Sequence, residues 1–379
     1  MRIAVLLSCF LLFPTPSLVS QRSDSYIDLG DRQHCTSFCF ENNGYAIFGM
    51  NYDHVKDRHD GLVFVNKRNV SKSFPQSDSI SKHVCWTSKY GSVSFNFIAS
   101  QTSWGGMNEA GLVISSMRLE EGSKGPEPDK RPWILIHYWL QYALDNFSTV
   151  EEVMASDSTM RIVSPGRIPH FLVSDKYGNC ATIEFIDGKM VTHSGNNLPV
   201  KALANTSYDR SISEWDKISM QRKNGKPVPA MGPTSRGRFI RAADRVTAFE
   251  PTNSKTAIKA AFDLLTEVGM QNGKVIATCW SIVFDTKNLQ IHFKTIVHSE
   301  TRMIDFHKLD FSCQSPVKMI DINEKLSGDI TDQLKVYSFK LHYDHALRAA
   351  KKYGLEMEPE ELKKQIRAIE EFPCESSSK

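Results

Sequence analysis

The chain has 379 residues, 41% hydrophobic and 23% charged, a globular composition that excludes disordered, collagenous and coiled-coil classes. Lys and Arg total 46 against 43 Asp and Glu, and the net charge of +3 gives no footprint for nucleic acid or an anionic membrane surface. The longest apolar run, Ile3 to Phe13 behind Arg2, is too short to span a bilayer and has the shape of a secretory signal.

Residues 1–20 are therefore expected to be a signal peptide ending in Ser17-Leu18-Val19-Ser20, which sends the chain to the periplasm or out of the cell. Leu6-Leu7-Ser8-Cys9 has the form of a lipoprotein box, but the apolar stretch before it is half the usual length, so secretion is expected over lipid anchoring. Without Cys9, seven cysteines remain: Cys35, Cys39, Cys85, Cys180, Cys279, Cys313 and Cys374. An odd number in an oxidising compartment leaves a free thiol. With Cys35 in that role the other six allow up to three disulfides, and buried reduced cysteines are the alternative.

Gln21 to His34 is polar and reads as a linker or pro-segment, residues 21–34. From Cys35 the pattern turns to short strands, Thr36 to Glu41 and Tyr45 to Met50, joined through the hairpin signal Asn42-Asn43-Gly44. Gly61 to Lys67, Gly91 to Ala99 and Gly111 to Met117 are further strands, with a turn expected at Gly105-Gly106. Pro132 to Phe147 is predicted to be a helix, because Trp133, Ile136, Leu140, Ala143, Leu144 and Phe147 share one face. A second helix is expected at Ser148-Thr149-Val150-Glu151, which has the Ser-x-x-Glu form of a capping box. His170 to Ile186 returns to strands around a Lys176-Tyr177-Gly178-Asn179 turn, and strands are expected to dominate the middle of the chain. Helices follow at Ser235 to Phe249 and Lys255 to Val268, then strands at Val275 to Asp285 and Leu289 to Val297. Leu334 to Phe372 is charged and helical, with a helix start at Glu358-Pro359-Glu360-Glu361. These patterns alone give the α+β class, with a domain over 35–335 and a helical extension over 336–379.

A cysteine at the head of the first strand is placed as an N-terminal nucleophile. Amide hydrolysis needs a nucleophile, a base to activate it and donors for the oxyanion of the tetrahedral intermediate. A cysteine at a newly made N-terminus supplies the thiol and, in its own α-amine of pKa about 7.7–8, a base poised near neutral pH. The arrangement exists only once the His34–Cys35 bond is cut.

Cys35-Thr36-Ser37-Phe38, Gly49-Met50-Asn51-Tyr52-Asp53, Gly106-Met107-Asn108-Glu109-Ala110-Gly111-Leu112, Ala204-Asn205-Thr206-Ser207, Arg238-Phe239 and Cys279-Trp280-Ser281-Ile282-Val283-Phe284-Asp285 stand in one order. That order resembles the choloylglycine hydrolases, which include bile salt hydrolases and penicillin V acylases and are related to acid ceramidases. The resemblance runs from Cys35 to about Phe311. It implies the four-layer αββα sandwich of N-terminal nucleophile hydrolases, cleavage of carbon–nitrogen bonds in linear amides, a small-molecule amide substrate and no cofactor. Residue by residue it implies Cys35 as nucleophile, Asp53 orienting the α-amine, Asn205 donating to the oxyanion and Arg238 holding the thiolate environment.

One departure matters: Met50 stands where the Gly-Arg-Asn-x-Asp signature of that family has Arg, and a thioether cannot replace a guanidinium. Arg118, beside Met117, is expected to restore the charge from another strand, which makes Met50, Met117 and Arg118 the candidate substrate contacts. A lipid amidase or acyltransferase, a non-catalytic binding protein on the same fold, and a bridged Cys35 remain alternatives. His54 and His59 among Asp53, Asp57 and Asp60 lack metal-ligand spacing, and of Arg236, Arg238, Arg241 and Arg245 all but Arg238 read as a solvated helix face. No nucleic acid, metal or membrane span in the mature chain is expected, and an oligomer is compatible with the sequence.

Overall fold

In the computed structural model the described residues are 34–42, 44–73, 83–97, 103–164, 166–270, 275–353, 358–360, 362–363, 366–367 and 373–374. The expected signal peptide and all of the pro-segment but His34 lie outside them.

Strand β1 (Thr36–Asn42) turns back through Gly44, whose φ of 77° suits only glycine without strain, into β2 (Tyr45–Val55). Strand β3 (Leu62–Asn66) leads to a ribbon of β4 (Ser71–Lys72) and β5 (Trp86–Thr87), and then come β6 (Ser92–Asn96), β7 (Ser103–Asn108) and β8 (Val113–Met117). Next are β9 (Trp133–Leu135), α1 (Ile136–Asn146), α2 (Val150–Ala155), β10 (Arg161–Val163), β11 (His170–Ser174), β12 (Cys180–Ile186), β13 (Lys189–Ser194) and β14 (Ala202–Leu203). Helices α3 (Tyr208–Lys223), α4 (Ser235–Thr247) and α5 (Ser254–Val268) precede β15 (Ile276–Asp285), β16 (Gln290–Thr295), β17 (Arg302–Asp305), β18 (Lys318–Asp321), β19 (Gly328–Asp329), β20 (Lys335–Val336) and α6 (Phe339–Tyr353).

Two sheets carry the fold. One has seven strands in the order β14-β1-β2-β15-β16-β17-β19 and the other nine, β13-β12-β11-β8-β7-β6-β3-β18-β20. Their facing sides share one core, in which Met50 and Phe284 of the first sheet meet Phe95, Met107 and Met117 of the second. Helices α4 and α5 cover the outer side of the seven-stranded sheet along β1, β2 and β15. Helix α1 covers the nine-stranded sheet, burying Trp139, Leu140 and Leu144 with Ile114 and Phe171 in a second core. The result is an α+β sandwich layered αββα.

Several local expectations shift. Gly105-Gly106 lies inside β7 rather than in a turn. A Cβ on Gly105 would sit 2.8 Å from Met50 Sδ, so that glycine admits the facing sheet, whereas one on Gly106 would sit 2.6 Å from the Val93 carbonyl of the neighbouring strand and 2.9 Å from Leu144 Cδ1 of α1. Trp133–Leu135 is a strand, paired in parallel with β10, and the helix expected from Pro132 starts at Ile136. The capping box falls one residue later, with Thr149 as N-cap accepting from Glu152 N while the Glu152 carboxylate accepts from Thr149 N. Helix α3 was not expected, because only Tyr208, Ser211 and Ile218 of its sixteen residues are buried and the apolar stripe is too thin to read. Only Cys313–Cys374 is a disulfide among the described residues; Cys35, Cys39, Cys85, Cys180 and Cys279 are free thiols. No described helix is long and apolar enough to cross a membrane.

A buried ion pair locks α1 to the β4–β5 ribbon. Asp145 Oδ2 accepts from Lys72 Nζ at 2.8 Å and from Trp86 Nε1 at 2.7 Å, while Gln141 Nε2 donates to Oδ1 at 2.8 Å. Removing one partner strands the other charge out of water. Asp145→Ala should cost about 3–5 kcal/mol in urea unfolding, whereas Lys72→Met with Asp145→Leu should cost markedly less; equal losses would show that the charge itself is not what Asp145 must satisfy.

Candidate active site

Cys35 sits at the head of β1, fully buried, between β14 and β2. The pairing Ser37↔Leu203 and Phe38↔Ala202 sets β14 alongside β1, and Asn205, two residues beyond β14, comes to rest on the Cys35 backbone. Cys35 N donates to Asn205 Oδ1 at 2.8 Å, and Asn205 Nδ2 donates to the Arg118 carbonyl at 2.8 Å. The loop is pinned as well: Asn205 N and Thr206 N both donate to Ser235 Oγ, at 2.9 and 2.8 Å, and Glu120 N donates to Asn205 O at 2.7 Å. Asn205-Thr206-Ser207 has the Asn-x-Ser/Thr form of a glycosylation sequon, but Asn205 has no exposed surface in the folded chain.

Arg238 lies in the first turn of α4, whose N-cap Thr234 accepts from Gly237 N at 3.2 Å. A cation there faces the positive end of the helix dipole, and this one is also buried, so only dense hydrogen bonding can hold it. Nε donates to Thr36 Oγ1 at 3.1 Å, Nη1 to Pro233 O at 2.7 Å, and Nη2 to Asn205 Oδ1 at 2.5 Å and Cys35 O at 3.3 Å. Burial pulls its pKa down against the pull of Asp53 and Cys35. Of its helix neighbours, Arg236 and Arg245 behave as expected of a surface, pairing with Glu214 at 3.0 Å and Glu267 at 3.6 Å, but Arg241 does not: it is half-buried and its Nη1 donates to the Met231 and Gly232 carbonyls at 2.6 and 2.9 Å.

Asp53 lies on β2 opposite Thr278, where β15 shifts register between Thr278 and Trp280. The shift is a β-bulge, a device that re-aims side chains next to it. Asp53 is fully buried and no donor reaches either carboxylate oxygen with hydrogen-bond geometry. Burial pushes its carboxyl up to about 7, against the pull of Arg238 and of the Thr278 hydroxyl. Burial, then the Asp53 charge, pushes the Cys35 thiol up to about 12, opposed by the Asp53 backbone amide, Arg238 and Arg118. His34, whose N–H donates to the Asp53 carbonyl at 3.1 Å, is pulled down to about 4 by burial and by Arg238 and Arg118. With the His34–Cys35 bond intact, the thiol is therefore protonated and the imidazole neutral at physiological pH.

The structure thus brings Cys35, Asp53, Asn205 and Arg238 together from four separate segments. The expected substrate contacts divide. Met50 and Met117 are 1% and 0% exposed and belong to the core between the sheets, so in this form neither offers a surface to substrate. Arg118 is partly exposed and lays its positive field on both His34 and Cys35. Thr36, Ser235 and Thr278 are supports that sequence reasoning missed. Each is a small hydroxyl residue without a pattern of its own, although Thr36 directly follows Cys35 and Ser235 precedes Arg238 by three. No group of three or more metal-ligating side chains occurs among the described residues.

Residues 35–319 match the family described as "Linear amide C-N hydrolases, choloylglycine hydrolase family". The chain belongs to this family. It is a hydrolase of carbon–nitrogen bonds, other than peptide bonds, in linear amides. It is 29% identical over 342 residues to penicillin V acylase of Pectobacterium atrosepticum, covering 78% of this chain and 86% of that one. The structure of penicillin V acylase from Agrobacterium tumefaciens superimposes with a TM-score of 0.69 at 28% identity, covering 80% of this chain and 98% of that one. A variant of conjugated bile acid hydrolase from Clostridium perfringens gives 0.65 at 22% identity over 77% of this chain and 98% of its own, a likeness of fold. Among choloylglycine hydrolases, then, the αββα layering expected from the sequence is the one observed.

Asp53 makes the uncut chain sensitive to pH in a definite direction. Its folded pKa of about 7 exceeds the unfolded value of 3.8, so the folded state holds the proton more tightly, and stability falls as pH rises from about 4 to about 7. In an uncut Cys35→Ala chain, Asp53→Asn should melt with the parent below pH 4 and several degrees above it at pH 8. Parallel melting curves across that window would contradict the buried, unpaired carboxylate.

Proposed function

We propose that this choloylglycine hydrolase family member is an exported N-terminal cysteine amidase, made active by cutting the His34–Cys35 bond. The observation that carries the reading is Asp53: a fully buried carboxylate that makes no ion pair among the described residues, standing next to the residue whose α-amine would be released. An unpaired buried charge is costly, and a new ammonium group at Cys35 is the partner that would satisfy it. The family match beginning on Cys35 itself supports the same cut.

In the cut enzyme the α-amine takes the proton of the Cys35 thiol, and the thiolate attacks the amide carbonyl. Asn205 Nδ2 spends one hydrogen on the Arg118 carbonyl and keeps the second for the oxyanion. Arg238 fixes Asn205 Oδ1 and the Cys35 carbonyl, so nucleophile and oxyanion donor are held by one guanidinium. The α-ammonium returns its proton to the leaving amine, and water, activated by the same amine, cleaves the thioester. Losing the peptide bond changes the neighbourhood that keeps the thiol near 12, since an adjacent ammonium favours the thiolate and neutralises the field of Asp53. The substrate class is an N-acylated amine small enough for a buried site, with penicillin V the first compound to try because relatives are named for it. The apolar run Ile3 to Phe13 supports export.

Intact mass and N-terminal sequencing of the secreted protein, with and without a thiol alkylating reagent, test this directly. The expected product begins at Cys35, takes up one label there, and loses all amidase activity on Cys35→Ser substitution or labelling. A mature chain that retains residues 21–34 and hydrolyses amides with Cys35 unlabelled would sink the proposal. Arg118→Met should raise the apparent thiol pKa of the cut enzyme and slow alkylation of Cys35 several-fold at pH 7; an unchanged pH profile would remove Arg118 from the thiolate's environment.

A further inference from the structure

Helix α6 lies beyond the span that matches the family, residues 35–319, yet it is built into the core. Ala346 and Ala349 of α6, with Leu362 and Ile366 after it, are buried in the same core as Cys35. His345 is fully buried and its Nε2–H donates to the Phe97 carbonyl at 2.7 Å, since a carbonyl can only accept. The Phe97 ring in turn packs against Tyr52, Trp280 and Trp104, with centroids 4.5, 4.8 and 5.2 Å away. Tyr52 immediately precedes Asp53, and Trp280 lies just past the bulge that faces Asp53. The far end of α6 grips the loop leaving β2: the Lys352 carbonyl accepts from Arg58 Nε at 3.0 Å and Lys352 Nζ pairs with Asp60. Beyond the helix the chain is tied down again by the Cys313–Cys374 disulfide and by Ser71 N donating to the Pro373 carbonyl at 3.2 Å.

We propose that α6 and the disulfide-tied end of the chain form a clamp on the active site, with His345 as a positioning residue for Asp53. Given the Cys35 reading of the site, the clamp acts by holding the backbone of Phe97, which sets the aromatic cluster against Tyr52 and so fixes where the carboxylate stands relative to the Cys35 α-amine. No charge is needed for this, and burial keeps the His345 imidazole neutral by lowering its pKa. Asp53 has no hydrogen bond of good geometry and only the Thr278 hydroxyl and the field of Arg238 to hold it besides packing, and for that reason a helix two layers of contact away can govern it.

The test is His345→Leu against His345→Gln in the cut enzyme, the glutamine amide being able to replace the Nε2–H donor. Activity is normalised to the Cys35 sites that take up an alkylating label, so that a smaller folded fraction does not count. His345→Leu should lose at least tenfold in kcat per labelled site and alkylate Cys35 several-fold more slowly, while His345→Gln recovers to within about threefold of wild type. Values within twofold of wild type for His345→Leu overturn the clamp. If His345→Leu yields no folded protein, the Cys313→Ser, Cys374→Ser pair decides: a severalfold fall in kcat per labelled site supports the clamp, and unchanged kcat and KM overturn it. An enzyme whose activity survives Cys35→Ser overturns the underlying site and the clamp together, whereas a Cys35-dependent enzyme indifferent to His345 overturns the clamp alone.

Discussion

A guanidinium held out of water at the wrong end of a helix is the constraint on which the rest of the site depends. Arg238 cannot be buried in the first turn of α4 unless its nitrogens find acceptors, and four of its five N–H groups find them in Thr36, Pro233, Asn205 and the Cys35 carbonyl. Satisfying that one cation therefore draws the head of β1, Asn205 beyond β14 and the N-terminus of α4 to a single point. A lysine could not do so, because one point charge lacks the fork that reaches acceptors on three segments. Part of the cost of the arrangement is visible in the lowered pKa of Arg238 itself.

Asp53 is the complement of that constraint. Every nitrogen of Arg238 has an acceptor, whereas Asp53 makes no hydrogen bond of good geometry, although each lies in the other's field. Natural interiors rarely leave a carboxylate in this condition, and such groups concentrate where function needs them. In the uncut chain the result is a suppressed nucleophile, with burial and the Asp53 charge holding the thiol protonated. In the proposed cut enzyme the same neighbourhood would change sign in its effect, because Asp53 would face an ammonium and the thiol would lose the field that opposes its ionisation.

The sandwich supplies rigidity for these placements. Gly49 shows how closely the strands are fitted: a Cβ there would stand 2.3 Å from the ring of Phe38, its cross-strand partner, so β1 and β2 keep their register only with glycine at that position. Alternation along β2 then directs Phe48, Met50 and Tyr52 between the sheets and Asn51 toward α5, where its Nδ2 donates to the Leu265 carbonyl at 2.7 Å. Met50 occupies, in this chain, the room that Gly105 leaves open.

Period and turn chemistry made most strands legible: the Cys35 hairpin, the pair around Lys176 to Asn179 and the long β15–β16 pair stand where alternation puts them. Helix α3 and the strand role of Gly105-Gly106 were not legible, because a thin apolar stripe and a glycine pair carry no local sign of what will pack on them. For the site, the resemblance carried by six motifs in order nominated Cys35, Asp53, Asn205 and Arg238, although no one of those motifs is specific by itself. Thr36, Ser235, Thr278 and His345 were out of reach, being common residues whose importance lies in the partner they meet. By itself, then, the sequence determined the class of fold, the family and the residue types available for chemistry, all of which are properties of local pattern and motif order. Which cation is satisfied, which carboxylate is left without a donor and which methionines are sealed in the core were decided only by the tertiary structure. Hydrogen bonding and desolvation depend on neighbours from distant segments, and those exist only after the two sheets have closed on each other.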